Sequence, residues 1–205
     1  MYVHTNVQHV ISGGYNDDTL HSTEIYHTVT DSFASNPPVL PIGVYEHCMA
    51  KWNAENKLYI VGGVTNSGFE ASTHIFDIEN RTFSTLSSQM NTPRYSRGCT
   101  IMEQERKLVM PGEISLDWYQ TQTVEILDLN THTWSFASDI PFTSGFVPIS
   151  VDGNLFVLRQ DGFFYQFDSS NDAWKLLSET SPFDGDISGQ FLVIDANVAL
   201  ICQYL

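Results

Sequence analysis

The sequence predicts an all-β protein made of repeated four-stranded antiparallel units, and three recurring markers carry that prediction. The first is a short apolar run that ends, in its clearest copies, on a glycine pair: VISGG at 10–14 and LYIVGG at 58–63. Weaker copies are LVMPGE at 108–113, LFVLRQ at 155–160 and ALICQ at 199–203. The runs end at 14, 63, 113, 160 and 203, so the intervals are 49, 50, 47 and 43 residues.

The second marker keeps step with the first. It reads IYHTVTDSF at 25–33, IFDIENRTF at 75–83, ILDLNTHTW at 126–134 and QFDSSNDAW at 166–174. From His27, Asp77, Asp128 and Asp168 to the closing aromatic is six residues in every copy. A polar connector between two β-type runs signals a hairpin, and an Asp before the turn can accept from backbone N–H groups just ahead of it. The third marker is a proline-containing link at Pro41, Pro93, Pro141 and Pro182. Short strands are expected after each link, at 48–52, 99–102, 148–151 and 191–194, each closing on a polar turn such as 53–56 or 152–154.

One period therefore holds four strands. Units of this kind bury their apolar faces against the next unit, as propeller blades do. The expected blades centre near 5–35, 47–86, 98–137 and 148–177, with a first strand at 2–5 and almost no helix. The whole chain, 1–205, reads as one incomplete propeller domain, with repeats near 1–46, 47–97, 98–147 and 148–189 and a partial fifth at 190–205.

These markers resemble the Kelch repeat family, over nearly the whole chain. The first repeat (Gly13, Gly14, Tyr26, Phe33) and the second (Gly62, Gly63, Phe83, Arg94) match that family's pattern best. The third keeps Gly112 and Trp134, and the fourth keeps Asp168 and Trp174 with Arg159 and Gln160 where glycines would stand. The resemblance implies a protein-interaction module, acting as a substrate adaptor or a cytoskeletal scaffold. The alternative it implies is a propeller enzyme or carbohydrate-binding domain of the galactose-oxidase type, with Tyr15, Tyr95, Tyr119 and His47 gathered on one loop face.

Residue chemistry narrows the choice. The chain carries 9 Lys+Arg against 24 Asp+Glu, a formal charge of −15, which disfavours nucleic acid and anionic membrane surfaces. No apolar run approaches a membrane span, and no secretory leader is legible at the start. Cys48, Cys99 and Cys202 read as reduced thiols of a cytoplasmic protein, the first two as small core residues at equivalent repeat positions. No metal-ligating, nucleophile or phosphate-loop motif occurs, so no cofactor is expected and the chain is not read as an enzyme. The glycine pairs are expected to serve backbone freedom and close packing. Trp134 and Trp174 are expected to be largely buried between neighbouring units.

What remains is a loop face, where a rigid scaffold usually carries its binding residues. The relevant loops lie near 15–23, 64–72, 114–123 and 161–163, together with the links at 36–47, 90–98, 141–147 and 182–189. They are rich in acids and in aromatics, among them Phe69, Phe142, Phe146 and Phe183. The expected partner-binding set is Tyr15, Asp17, Asp18, Arg94, Tyr95, Arg97, Asp117, Trp118 and Tyr119. Acids beside aromatic anchors suit a protein partner with a basic segment. Arg94 and Arg97 are expected to grip one acidic side chain of that partner.

Overall fold

Strands alternate their side chains between two faces, so a strand with apolar residues on both must be covered on both. In the computed structural model of the protein, which describes residues 2–4, 8–96, 98–115, 120–143, 146–159, 162–178, 191–195 and 198–201, this is how the sheets are arranged. Sheet I runs β1 (Tyr2–His4), β2 (Gln8–Ser12), β3 (Thr23–His27), β4 (Ser32–Phe33), each strand pairing with the next. Sheet II is formed by β5 (Cys48–Trp52) and β6 (Lys57–Val61), then β9 (Thr73–Asp77) and β10 (Thr82–Thr85); a small hairpin, β7 (Val64–Thr65) and β8 (Gly68–Phe69), interrupts it. After the short β11 (Arg94–Tyr95), sheet III follows the same order with β12 (Thr100–Met102), β13 (Lys107–Met110), β16 (Val124–Asp128) and β17 (Thr133–Ala137). Between β13 and β16 lie β14 (Glu113–Ser115) and β15 (Gln120–Thr121), which pair with each other while β11 pairs with β14. Sheet IV is β18 (Phe146–Val151), β19 (Asn154–Arg159), β20 (Phe164–Asp168) and β21 (Ala173–Ser178), and β22 (Phe191–Asp195) pairs with β23 (Val198–Ile201).

The protein is thus all-β, built of several antiparallel sheets, none of which closes on itself. Among the described residues the sole helical turn is a 3-10 turn at Asn53–Glu55, and no helix is long and apolar enough to cross a membrane. The first strands lie side by side along the chain: β1 by β5, β5 by β12, β12 by β18 and β18 by β22.

Three apolar layers hold the sheets face to face. Val10 and Ile25 of sheet I meet Met49, Leu58, Ile60 and Phe76 of sheet II. The other face of sheet II, with Tyr59, Val61 and Ile75, meets Ile101, Leu108, Met110 and Leu127 of sheet III. Val109 and Val124 on the far side of sheet III meet Leu155, Val157 and Phe167 of sheet IV. Trp134 and Trp174 pack against the second and third layers, half-buried rather than largely buried as expected, because each sits on the outermost strand of its sheet, where no further strand covers it.

Each of the three links that join sheets I to IV is pinned in the same way. The N–H groups of Leu40, Met90 and Ile140 donate to the carbonyls of His21, Ala71 and Gln122, and all three side chains are buried. The glycine pairs make room for these links. Gly13 and Gly62 have φ of +64° and +61°, and a Cβ on them would stand 2.2 Å from the Val44 carbonyl oxygen and 2.5 Å from that of Arg94. Only glycine combines that backbone with that approach.

The Asp turns also behave as the spacing predicts. Asp77 Oδ1 accepts from the N–H groups of Glu79 and Asn80 at 3.0 and 2.8 Å, and Asp128 Oδ1 from those of Asn130 and Thr131 at 2.8 and 2.9 Å. Asp168 accepts from Ser170 and Asn171, which hold its carboxyl down at about 2. Four residues beyond each aspartate the chain turns left-handed, at Arg81, His132 and Asp172.

Cys48 and Cys99 are not free thiols. They form a disulfide, with Cα atoms 5.7 Å apart, that joins the first strand of sheet II to the residue before β12. Their equivalent repeat positions were legible; that neighbouring first strands bring equivalent positions within bonding reach was not.

Candidate functional site

The loop face can be built from the turns upward. After β2, residues 15–19 form a tight turn closed by a bridge between Tyr15 and Thr19, with Asp17 in the left-handed region at φ 58°. This turn lifts Tyr15 into solvent at 61% exposure, and its ring meets Tyr45 of the following link at 5.2 Å. Tyr45 in turn bridges to Val64, at the root of the β7–β8 hairpin. Asp18 accepts from the backbone N–H of Thr19 at 2.7 Å and from the side-chain amide of Asn66 on that hairpin. The Asn66 and Thr19 contacts pull the Asp18 carboxyl below its usual range, so it is ionised at neutral pH. Loops of sheets I and II thus meet on one side, with Tyr15, Asp17, Asp18, Glu46 and Asn66 exposed around the half-buried Tyr45.

The remaining expected residues divide sharply. Tyr95 is buried and stacks on Phe69 at 5.9 Å, closing the next loop cluster from beneath. Phe142 and Phe146 are core residues of the layer between sheets III and IV. Glu70 turns inward and accepts from the N–H groups of Ala71 and Ser72 at 3.0 and 2.9 Å. Arg97, Asp117, Trp118, Tyr119 and Phe183 lie outside the described residues.

Arg94 is a correction. Its side chain is wholly buried, 2.7 Å from Glu125, which is equally buried. The guanidinium also donates to the Thr123 carbonyl at 2.6 Å, to Thr123 Oγ1 at 2.9 Å and to the Thr92 carbonyl at 3.3 Å. Glu125 takes three more hydrogen bonds, from the backbone and side chain of Asn91 and the backbone of Thr92. Every strong group is matched inside the chain, so Arg94 fastens the link at 90–95 onto β16 and offers nothing to a partner. A fork-shaped donor and a carboxylate were the right chemistry, but the carboxylate is the chain's own.

His47 is likewise absent from the surface. It is 3% exposed, its Nε2 lies 3.1 Å from Ser12 Oγ, and it fills the space left by Gly13 and Gly63. Burial drives its pKa down to about 3, so the imidazole is neutral. Among the described residues no three His, Cys, Asp or Glu side chains gather as a metal site.

At the other end of the first strands, a cavity of about 450 Å³ opens between β5, β12 and β18. Lys51, Asn53, Thr100, Glu103, Ser150 and Asp152 line it, and Glu103 is already engaged by Asn53 through two hydrogen bonds of 2.9 Å. None of the expected site residues reaches it. No protein-family model matches the chain, and no curated protein matches it.

Proposed function

We propose that residues 1–205 form a single Kelch-type propeller domain, with sheets I–IV as four blades and β22–β23 as a partial fifth, that binds a protein partner through its loop face. The architectural half of this reading is supported by the uniform strand order of the four sheets, by the neighbouring first strands and by the repeated pinning of the links. The observation that carries the functional half is the exposed cluster of Tyr15, Asp17 and Asp18, braced by Tyr45 and Asn66 from two separate loops. An aromatic ring held by neighbouring loops beside fixed negative charge is suited to a basic, partly apolar segment of another protein. The disulfide removes the argument from reduced thiols, so the proposal includes no compartment.

The test is selection of binders from a library of short basic peptides, followed by anisotropy titration of the best peptide at low and at physiological salt. Exposed charges are screened over about 8 Å at physiological ionic strength, so affinity falls as salt rises. Tyr15→Ala combined with Asp18→Asn weakens binding about tenfold or more, a loss of roughly 1.4 kcal/mol. Asp152→Asn, at the opposite end of the sheets, leaves it unchanged. Equal affinity of all three proteins places recognition elsewhere.

A further inference from the structure

Asn80-Arg81-Thr82 is the one Asn-X-Ser/Thr triplet in the chain whose middle residue is not proline. It spans the end of the turn between β9 and β10 and the first residue of β10, and residues 79–82 are all exposed. Asn80 owes its place there to Asp77, whose Oδ1 accepts from the Asn80 N–H at 2.8 Å and whose Oδ2 accepts from Asn80 Nδ2 at 2.9 Å. Asn171 makes the same two contacts with Asp168 in sheet IV, at 3.3 and 2.7 Å, so an asparagine at this position serves the turn. Thr82 has no such explanation. The equivalent residue in sheet IV, also the first of its strand, is Ala173, so the turn does not need a hydroxyl there. Thr82 is what makes the sheet II turn an acceptor for a sugar. A second, independent observation concerns the compartment. The Cys48–Cys99 disulfide joins β5 to the residue before β12, and such bonds form and persist in oxidising environments, the secretory lumen among them. Asparagine-linked glycans are attached in that same lumen.

We propose that Asn80 carries an asparagine-linked glycan, added in the oxidising compartment where the Cys48–Cys99 bond forms. The sugar comes from a lipid-diphosphate-linked oligosaccharide. Asn80 Nδ2 forms a bond to the anomeric carbon, and the bond from that carbon to the diphosphate oxygen breaks. The lipid diphosphate leaves with the electron pair, and Nδ2 gives up one proton to a base of the transferase. In the folded turn Asn80 is hydrogen-bonded through both its backbone N–H and Nδ2, so transfer takes place before the β9–β10 hairpin closes. The modified nitrogen keeps its other N–H for Asp77 Oδ2, and the exposed turn leaves room for the glycan, so the sugar and the fold are compatible. The position also suits the binding face proposed above, although the inference does not depend on it. β6 and β9 pair from Val61 opposite Thr73, next to the loop face, to Lys57 opposite Asp77 at the other end. The glycan therefore stands at the end of sheet II away from Tyr15, Tyr45 and Asn66, and leaves those residues open to a partner.

The test uses the protein isolated from its native cells. Enzymatic removal of N-glycans in heavy-oxygen water converts a glycosylated asparagine to labelled aspartate, which mass spectrometry of the peptide containing Asn80 reads directly. The label is expected on Asn80, together with a loss of apparent mass by the whole chain on digestion. Produced in the same cells, Thr82→Ala loses that shift and Thr82→Ser retains it, with far-UV circular dichroism showing that both variants are folded. In the same native sample Cys48 and Cys99 are expected to resist thiol alkylation until a reductant is added. Recovery of Asn80 as unlabelled asparagine throughout, a shift that survives in Thr82→Ala, or free Cys48 and Cys99 thiols in the native chain overturns the proposal.

Discussion

The layer between sheets I and II and the layer between sheets II and III come from the same repeat, yet they are secured differently. Both have a continuous apolar centre. Around that centre, the second layer adds a disulfide and a buried ion pair, whereas the first adds two neutral histidines, His47 and His74. His74 is held by Ser72 Oγ at 3.0 Å and Thr85 Oγ1 at 2.8 Å on the side of sheet II that faces sheet I. Apolar stacking sets the architecture, and the polar groups decide which layer responds to conditions. A buried neutral imidazole loses its stabilisation once pH falls below the value near 6.5 at which it titrates in the unfolded chain.

The largest expected effect breaks the second layer. Arg94→Met removes the cation and leaves Glu125 buried with only neutral donors. Removing one partner of a buried pair costs about 3–5 kcal/mol. Urea denaturation is the measurement. The double variant Arg94→Met/Glu125→Met recovers much of the loss, because an apolar pair no longer strands a charge. A loss under about 1 kcal/mol in the single variant would mean that the link at 90–95 is fastened by its backbone contacts alone.

A smaller effect loosens the first layer by acid. Burial holds His47 near 3 and also lowers His74. In the unfolded chain an imidazole titrates near 6.5, so protonation favours unfolding. The stabilisation from neutral burial is complete above pH 6.5 and is lost progressively as pH falls from there toward 3. By pH 5 the loss from His47 alone amounts to about 2 kcal/mol, at 1.36 kcal/mol per unit. The lowered carboxylates Asp77, Asp128 and Asp168 act in a more acidic window, because unfolded aspartates protonate near 3.8. Hydrogen exchange at pH 7 and pH 5, corrected for intrinsic rates, is expected to show sheet I losing protection while sheets II and III keep theirs. His47→Gln flattens that dependence; an unchanged pH profile in this variant sinks the assignment.

Much of this fold was legible from spacing, because backbone needs recur at each repeat. A left-handed Gly13 or Gly62 beside an incoming carbonyl, and an Asp77 or Asp168 gathering N–H groups, are local requirements written in adjacent residues. The site was less legible, because exposure depends on residues far apart. Arg94 and Glu125 are 31 positions apart, and no local pattern says that one faces the other. Phe142 and Phe146 looked like loop anchors by sequence position, yet they pack into the third layer because Phe146 already belongs to β18. Tyr15 is exposed on a turn that directly follows the Gly13–Gly14 pair, so its setting is local. The disulfide and His47 were missed for the same reason as Arg94: contacts between sheets join residues 31 to 51 positions apart.

The smallest effect concerns the turn that departs from the pattern. In sheets II, III and IV an aspartate opens the turn between the third and fourth strands, and its carboxylate accepts two backbone N–H groups. In sheet I that position is His27, β4 has only two residues against four in β10 and five in β17, and Asp31 is instead bonded by the Tyr26 hydroxyl. His27→Asp would supply the missing acceptor for the N–H groups ahead of it. It would also place a carboxylate beside Arg81, whose guanidinium now lies 3.5 Å from His27 Nε2. The substitution is expected to stabilise the protein by about 0.5–1 kcal/mol, the usual net value of a hydrogen bond gained in an exposed turn. Thermal denaturation should show a rise of a few degrees at most, and exchange at the β3–β4 hairpin should slow before any other region responds. An unchanged or lowered midpoint would show that the left-handed residue at Asp31 orders this turn by itself, and that the aspartates elsewhere follow the turn rather than form it.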